Sequence, residues 1–184
     1  YPHAFERWAL EDCTKVVHVA KIVPANWKVV AEAFMESLHA RQTHPQILPF
    51  SADTNARYDI LGDHTNLSIT PMGEPSPHLY QTGRKPEDQE VLDSLLTGSG
   101  RVTGADRLMV PEGQTVRAFM AEMSRQSFEA EDGRDYSDAT DAEMLDAMTF
   151  NVFPNFSPWG GYPPNVIYRW RPNGWNVDST LMEV

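Results

Sequence analysis

VIYRWRPNGWNVDSTLMEV, residues 166–184, reads as two strands on either side of a tight turn. Val166 to Arg171 and Val177 to Val184 are rich in β-branched and aromatic residues, and Pro172, Asn173 and Gly174 supply the chemistry of a hairpin turn. A matching pair lies upstream, where RYDILG and HTNLSIT, between Ala56 and Thr70, alternate apolar and polar residues across Gly62 and Asp63. Thr14 to Val23, with Val16, Val17, Val19 and Ile22 among polar neighbours, predicts a further strand that Pro24 ends.

Between these strands the apolar spacing changes to helical steps. Asn26 suits an N-cap, and Trp27, Val30, Ala31, Phe34 and Leu38 fall on one face of a helix bounded by Pro45. The proline- and glycine-rich stretch Pro71 to Pro86 predicts a loop. Pro86 then opens a helix carrying Val91, Leu92, Leu95 and Leu96 that the Gly98 to Gly100 segment stops. Thr115 to Glu129 predicts a second helix burying Val116, Phe119, Met120 and Met123, and Asp138 to Met148 a third, acidic one. Phe150 to Phe153 is read as extended, and Ser157 to Pro164 as a turn. Strands before and after a group of helices define an α+β domain, a largely antiparallel sheet with helices on one face.

With 184 residues, 41% of them apolar, the chain is long enough for one sizeable core, and one globular unit is expected. A formal net charge of -11 disfavours duplex nucleic acid and anionic membranes, and points to a small neutral substrate or a protein partner. No apolar run reaches the roughly 20 residues a bilayer span needs, so a soluble protein is expected. Cys13 is the single cysteine; it excludes an internal disulfide, suits a reducing cytoplasm, and leaves too few ligands for an iron–sulfur cluster within this chain. The chain opens at Tyr1 and closes in the apolar alternation of Leu181 to Val184, which reads as a fragment of a longer polypeptide.

The segment that carries chemistry is EAFMESLHARQTHP, Glu32 to Pro45. On a continuous helix Glu32, Glu36 and His39 share one stripe, while His44, five residues past His39, points away from it unless the helix unwinds before Pro45. Two neutral imidazoles and a carboxylate form the facial triad of non-haem Fe(II) oxygenases, with open positions for dioxygen and substrate. Glu36 is placed to fix the second nitrogen of a ligating His39. The same pair also fits surface or capping histidines, a zinc-dependent hydrolase, or a ligand-binding module without metal. The H-E-x-x-H pattern of many zinc peptidases is missing. His3, His18, His64 and His78 have no partner at ligand spacing and read as structural or solvated, and Trp159, Trp170 and Trp175 as core or interface. The acidic run Glu129 to Asp141 reads as a solvated loop and helix start.

These residues resemble the alpha subunits of bacterial Rieske ring-hydroxylating oxygenases. Asn26, Trp27 and Lys28 match the opening of the family's iron-binding segment, Glu32, Phe34 and Glu36 its middle, and His39, His44 and Pro45 its H-x-x-x-x-H-P end, with Ala33 in place of the usual Asn. FPNFSPWGG, Phe153 to Gly161, resembles the family's FPN strand, and YRWRPNG followed by SxxMEV fits the same catalytic domain.

The resemblance implies a helix-grip fold of the START/Bet v 1 type, with residues 1–184 forming a partial catalytic domain that lacks the preceding Rieske domain and the C-terminal helix. It implies mononuclear Fe(II) at His39 and His44, a 2Fe-2S cluster elsewhere in the parent protein, and electron transfer from that cluster through Glu36. Phe34 and Asn155 match positions near the substrate pocket, with core packing an equal alternative for Phe34. The family's third ligand, an Asp on a downstream helix, has no counterpart here, since Asp178 follows a hairpin turn and reads as solvated. An aromatic or hydrophobic substrate, O2, a ferredoxin or reductase, and a homotrimer or hetero-oligomer are the implied partners.

Overall fold

The computed structural model describes residues 5–98, 107–162 and 166–184; His3, the Ser99–Gly100 part of the expected helix stop, and residues 163–165 of the expected turn lie outside them. The architecture is α+β, a seven-stranded antiparallel sheet and, among the described residues, six α-helices. The strands are β1 (Ala20–Val23), β2 (Arg57–Ile60), β3 (Thr65–Thr70), β4 (Ala147–Val152), β5 (Ser157–Trp159), β6 (Val166–Asn173) and β7 (Asn176–Glu183). Their spatial order is β1-β7-β6-β5-β4-β3-β2, which brings the first and last strands together. The chain divides into two compact units. The first comprises Tyr1–Glu36, Tyr58–Ile69 and Met148–Val184, the second Ser37–Arg57 and Thr70–Ala147.

In the first unit, both predicted hairpins form. Asn173 pairs with Asn176, so Gly174 and Trp175 make the β6–β7 turn; Gly174 sits at φ 62°, a conformation that costs glycine little. Strand β1 is shorter than the predicted Thr14 to Val23. Its pairing with β7 reaches only to Val19, opposite Val184, and the earlier residues, Val16 and Val17 among them, are exposed. β5 replaces part of the turn expected after Ser157, because Ser157 to Trp159 pair with Val166 to Tyr168.

Helix α1 (Trp27–Ala33) starts at Asn26 as expected, and the Asn26 side chain accepts a hydrogen bond from the Lys28 amide. It ends a full turn early. Phe34 caps it with φ -96° and ψ 1°, so Leu38, expected on the buried face, is 77% exposed. Val30 and Ala31 pack on the buried Trp170, flanked by Val23, Phe34, Met35, Tyr168 and Met182. Thr180, wholly buried, donates to the carbonyl of Ala25 at 2.6 Å and ties the entry of α1 to β7.

The second unit holds α2 (Ala40–Thr43), α3 (Pro77–Gln81), α4 (Asp88–Gly98), α5 (Val116–Asp132) and α6 (Asp141–Leu145). Helix α3 lies inside the stretch expected to be a loop. Its signal was local, since Ser76 caps the His78 amide and Pro77 occupies the first turn. Helix α6 is confined to one turn and a half by a capping box between Thr140 and Glu143, and Ala147 and Met148, expected to be helical, begin β4 instead. Phe50, Val91, Leu92, Leu95, Val116 and Met120 form the core of this unit. Asp146, with its side chain 3% exposed, takes both guanidinium nitrogens of Arg117 and the Met72 amide, which fixes α5 to the end of α6.

Candidate metal centre and aromatic face

His39 and His44 lie at the two ends of α2, a single turn of helix in the second unit. His39 is its N-cap, and its carbonyl accepts from the amides of Gln42 and Thr43; His44 is its C-cap, at φ -130° and ψ 48°. Pro45 follows at the first position of a 3-10 turn, Pro45–Ile47. The unwinding expected before Pro45 therefore occurs at His44. The two rings come together with centroids 5.4 Å apart and planes 70° apart. His39 is half-buried and His44 exposed, so the pair opens toward solvent.

The continuous stripe expected to join Glu32, Glu36 and His39 does not form. Residues Phe34 to His39 separate α1 from α2 and are not helical, so one-turn spacing no longer relates Glu36 to His39. Among the described residues no group of three His, Cys, Asp or Glu is arranged to hold a metal ion.

Two imidazoles fit a metal on a simple geometric condition. With a metal–nitrogen bond of about 2.1 Å, each ring centroid stands roughly 3.2 Å from the metal, so two ligating rings must have centroids within about 6.4 Å of one another. The separation of 5.4 Å meets it. Imidazole is a donor type that suits iron, copper or zinc.

The first unit presents a different surface. Tyr168 and Trp170, two residues apart on β6, stack on one side of the sheet with centroids 5.7 Å apart and planes 5° apart. Phe34 meets both, at 5.2 and 5.1 Å, and Trp159 meets Phe34 at 6.1 Å and Tyr168 at 4.9 Å. Trp170 is fully buried, while Phe34, Trp159 and Tyr168 remain partly open. A buried polar chain supports this face. Trp159 Nε1 donates to Ser157 Oγ at 3.2 Å, Ser157 Oγ lies 2.8 Å from both Asn151 Oδ1 and the Phe150 carbonyl, and Asn151 Nδ2 donates to Asn66 Oδ1 at 3.0 Å. Asn155 lies apart from this chain, half-buried in the β4–β5 turn. Two positions earlier, Phe153 is 56% exposed and stacks on His64.

The remaining histidines have local roles. His18 Nε2 lies 3.4 Å from Glu183 Oε1, and His78 Nε2 lies 3.8 Å from Asp53 Oδ2, a buried carboxylate that also accepts from Ser76 Oγ at 2.5 Å. Arg169 and Arg171 both donate to Glu183, which holds its carboxyl well below the usual range, at about 2. An open groove of about 360 Å³ in the second unit is lined by Glu74, Tyr80, Asp88, Thr115 and Arg117 among others, and neither His39 nor His44 lines it.

The described residues thus form an α+β chain that carries a histidine pair at the two ends of one short helix. The chain belongs to the family of ring-hydroxylating alpha subunits, whose catalytic-domain model matches residues 3–184. No curated protein matches the chain. Membership in this oxygenase family rests on nearly the whole sequence, and no helix among the described residues is long and apolar enough to cross a membrane.

Sequence reasoning named Phe34 but passed over Asn66, Asn151, Ser157 and Tyr168. Alternation along β4 to β6 was the available signal, but the turn assigned to Ser157 to Pro164 hid the strand that brings Ser157 and Trp159 beside Tyr168.

Proposed function

We propose that this chain is the mononuclear-iron part of an oxygenase that hydroxylates an aromatic or related small organic molecule with O2. The observation that carries the reading is the convergence of the His39 and His44 rings in a chain of the ring-hydroxylating family. Iron bound there supplies the activation of dioxygen, using electrons from a Rieske 2Fe-2S cluster carried elsewhere in the parent protein. The chain's own residues hold and orient. His39 and His44 present neutral imidazoles from a one-turn helix whose ends are set by backbone hydrogen bonds, so their separation does not depend on a flexible loop. Glu36 is assigned the link between an iron-ligand histidine and the cluster domain of a neighbouring subunit. Phe34 and Asn155 are assigned to the substrate pocket, and a third, carboxylate ligand is expected outside the described pair. A ferredoxin or reductase as electron donor, an oligomeric parent protein and a cytoplasmic location complete the reading.

Metal binding tests it. Titrated anaerobically with Fe(II), the chain is expected to bind one equivalent, and His39→Ala or His44→Ala to weaken binding by more than about tenfold. In the parent protein His39→Ala is expected to abolish oxygen incorporation while circular dichroism stays unchanged. Zinc-dependent hydrolysis by the parent protein would favour a hydrolase, and no binding of either metal a ligand-binding module; either result would overturn the proposal.

A further inference from the structure

Tyr168 carries the solvent-open unpartnered polar group of an aromatic surface whose other unpartnered donor, Trp170 Nε1, is buried. Its ring packs between Phe34, Trp159 and Trp170, at 5.2, 4.9 and 5.7 Å, yet its hydroxyl makes no hydrogen bond with any described residue and is not sealed from solvent. Buried or partly buried tyrosines normally pair that O–H, because desolvating it unpaired costs stability. Burial has already pushed the Tyr168 phenol above its ordinary range, so at neutral pH it is a donor.

Around it the wall is built to keep one shape. The indole N–H of Trp159 is spent on Ser157 Oγ, and Ser157 and Asn151, 1% and 2% exposed, are committed to each other, to the Phe150 carbonyl and to Asn66. The Trp159 indole N–H and the Ser157 hydroxyl are thereby engaged within the wall itself. The cation–π contacts among the described residues fall elsewhere, on Tyr162 and Trp27, and the chain's formal charge is -11. An anionic substituent would find no countercharge on these rings.

We propose that Tyr168 is a specificity-determining residue: its hydroxyl donates a hydrogen bond to a neutral acceptor, such as a carbonyl or ether oxygen, on an aromatic substrate whose ring packs against Phe34 and Trp159. The preferred substrate class is thereby a neutral aromatic carrying an oxygen acceptor, rather than a plain hydrocarbon or an aromatic carboxylate. This rests on the assignment of Phe34 to the substrate pocket.

The test uses acetophenone and α-methylstyrene, which share a shape and differ in having an acceptor oxygen or a methylene, with benzoate as the charged probe. Binding to the chain is followed by quenching of tryptophan fluorescence. Acetophenone is expected to bind about fivefold more tightly than α-methylstyrene, as one neutral hydrogen bond allows. Tyr168→Phe should bring the ratio to about one and leave the affinity for α-methylstyrene unchanged, with an unaltered circular dichroism spectrum. Loss of contact with the wall alone would weaken both probes together and leave the ratio intact. An unchanged ratio in Tyr168→Phe, or benzoate binding more tightly than acetophenone, overturns the proposal. Phe34→Ala separates the two levels. If it weakens both neutral probes while Tyr168→Phe leaves their ratio intact, the pocket stands and the role of Tyr168 falls; if it changes neither affinity, or if neither probe binds the wild type, the pocket assignment falls with it.

Discussion

Glu183 sets one carboxylate against two guanidinium groups, with its side chain only 9% exposed. Its folded value of about 2 lies below the ordinary 4.5, so the folded state binds its proton less readily than the unfolded chain does. The stabilisation is therefore fully present above about pH 4.5 and is lost as the pH falls through about 2. Glu183→Gln removes this contribution and leaves Arg169 and Arg171 without their shared partner. The variant is expected to have a lower urea midpoint than wild type at pH 7, and the difference is expected to shrink between pH 4 and pH 2. A constant difference across that range would show that Glu183 acts by packing alone. Residue by residue, the legible part of the site was the part written in a contiguous motif. His39, His44 and Pro45 lie within seven positions, and local backbone rules locate the break between them. Tyr168, Trp159, Ser157, Asn151 and Asn66 come from β3 to β6, and their meeting depends on a strand register that no local pattern specifies.

At the scale of elements, α1 is short, and its seven residues have little intrinsic helical stability. Besides the Thr180 bond to Ala25, two polar anchors of its start come from one side chain: Asn26 Oδ1 accepts from the Lys28 amide at 3.0 Å, and Asn26 Nδ2 donates to the Val177 carbonyl at 2.8 Å. Both bonds are exposed to water, but the cap satisfies an amide that has no partner within the helix, so the cap should dominate. Asn26→Ala is expected to cost about 1 kcal/mol of stability. Asn26→Asp, which keeps the capping oxygen and loses the donor, should remain close to wild type in the same urea titration. The α1 start was readable because capping is local. Its end was not. An unbroken apolar spacing from Trp27 to Leu38 predicts a longer helix, and what ends it at Ala33 is Phe34 turning onto Tyr168 and Trp170, contacts that span more than 130 residues of sequence. The same division explains α3, whose Ser76–Pro77 start was a readable local signal inside a stretch dominated by loop-forming residues. It also explains β1, whose length is set by where β7 can pair with it rather than by its valines.

For the whole molecule the controlling quantity is charge. Twenty-six acidic against fifteen basic side chains leave a formal -11, and the ion pairs that do form are local, such as Arg117 with Asp146 and Arg125 with Asp141. Unpaired carboxylates repel one another across distances that depend on ionic strength: the screening length falls from about 30 Å in dilute buffer to about 8 Å at physiological salt. Compaction brings those charges closer than they are in the unfolded chain, so repulsion opposes folding most when screening is weakest. Exposed ion pairs are weakened by salt too, but each is worth only a fraction of 1 kcal/mol to about 1 kcal/mol, and Arg117 with Asp146, whose carboxylate is almost wholly buried, is little screened. The repulsive contribution should therefore win. Raising sodium chloride from dilute to physiological concentration is expected to raise the melting temperature of the chain, and Glu183→Gln should respond to salt in the same direction, because its effect is local. A melting temperature that falls with added salt would place the balance with the ion pairs instead and would overturn the argument that excess negative charge limits the stability of this fold.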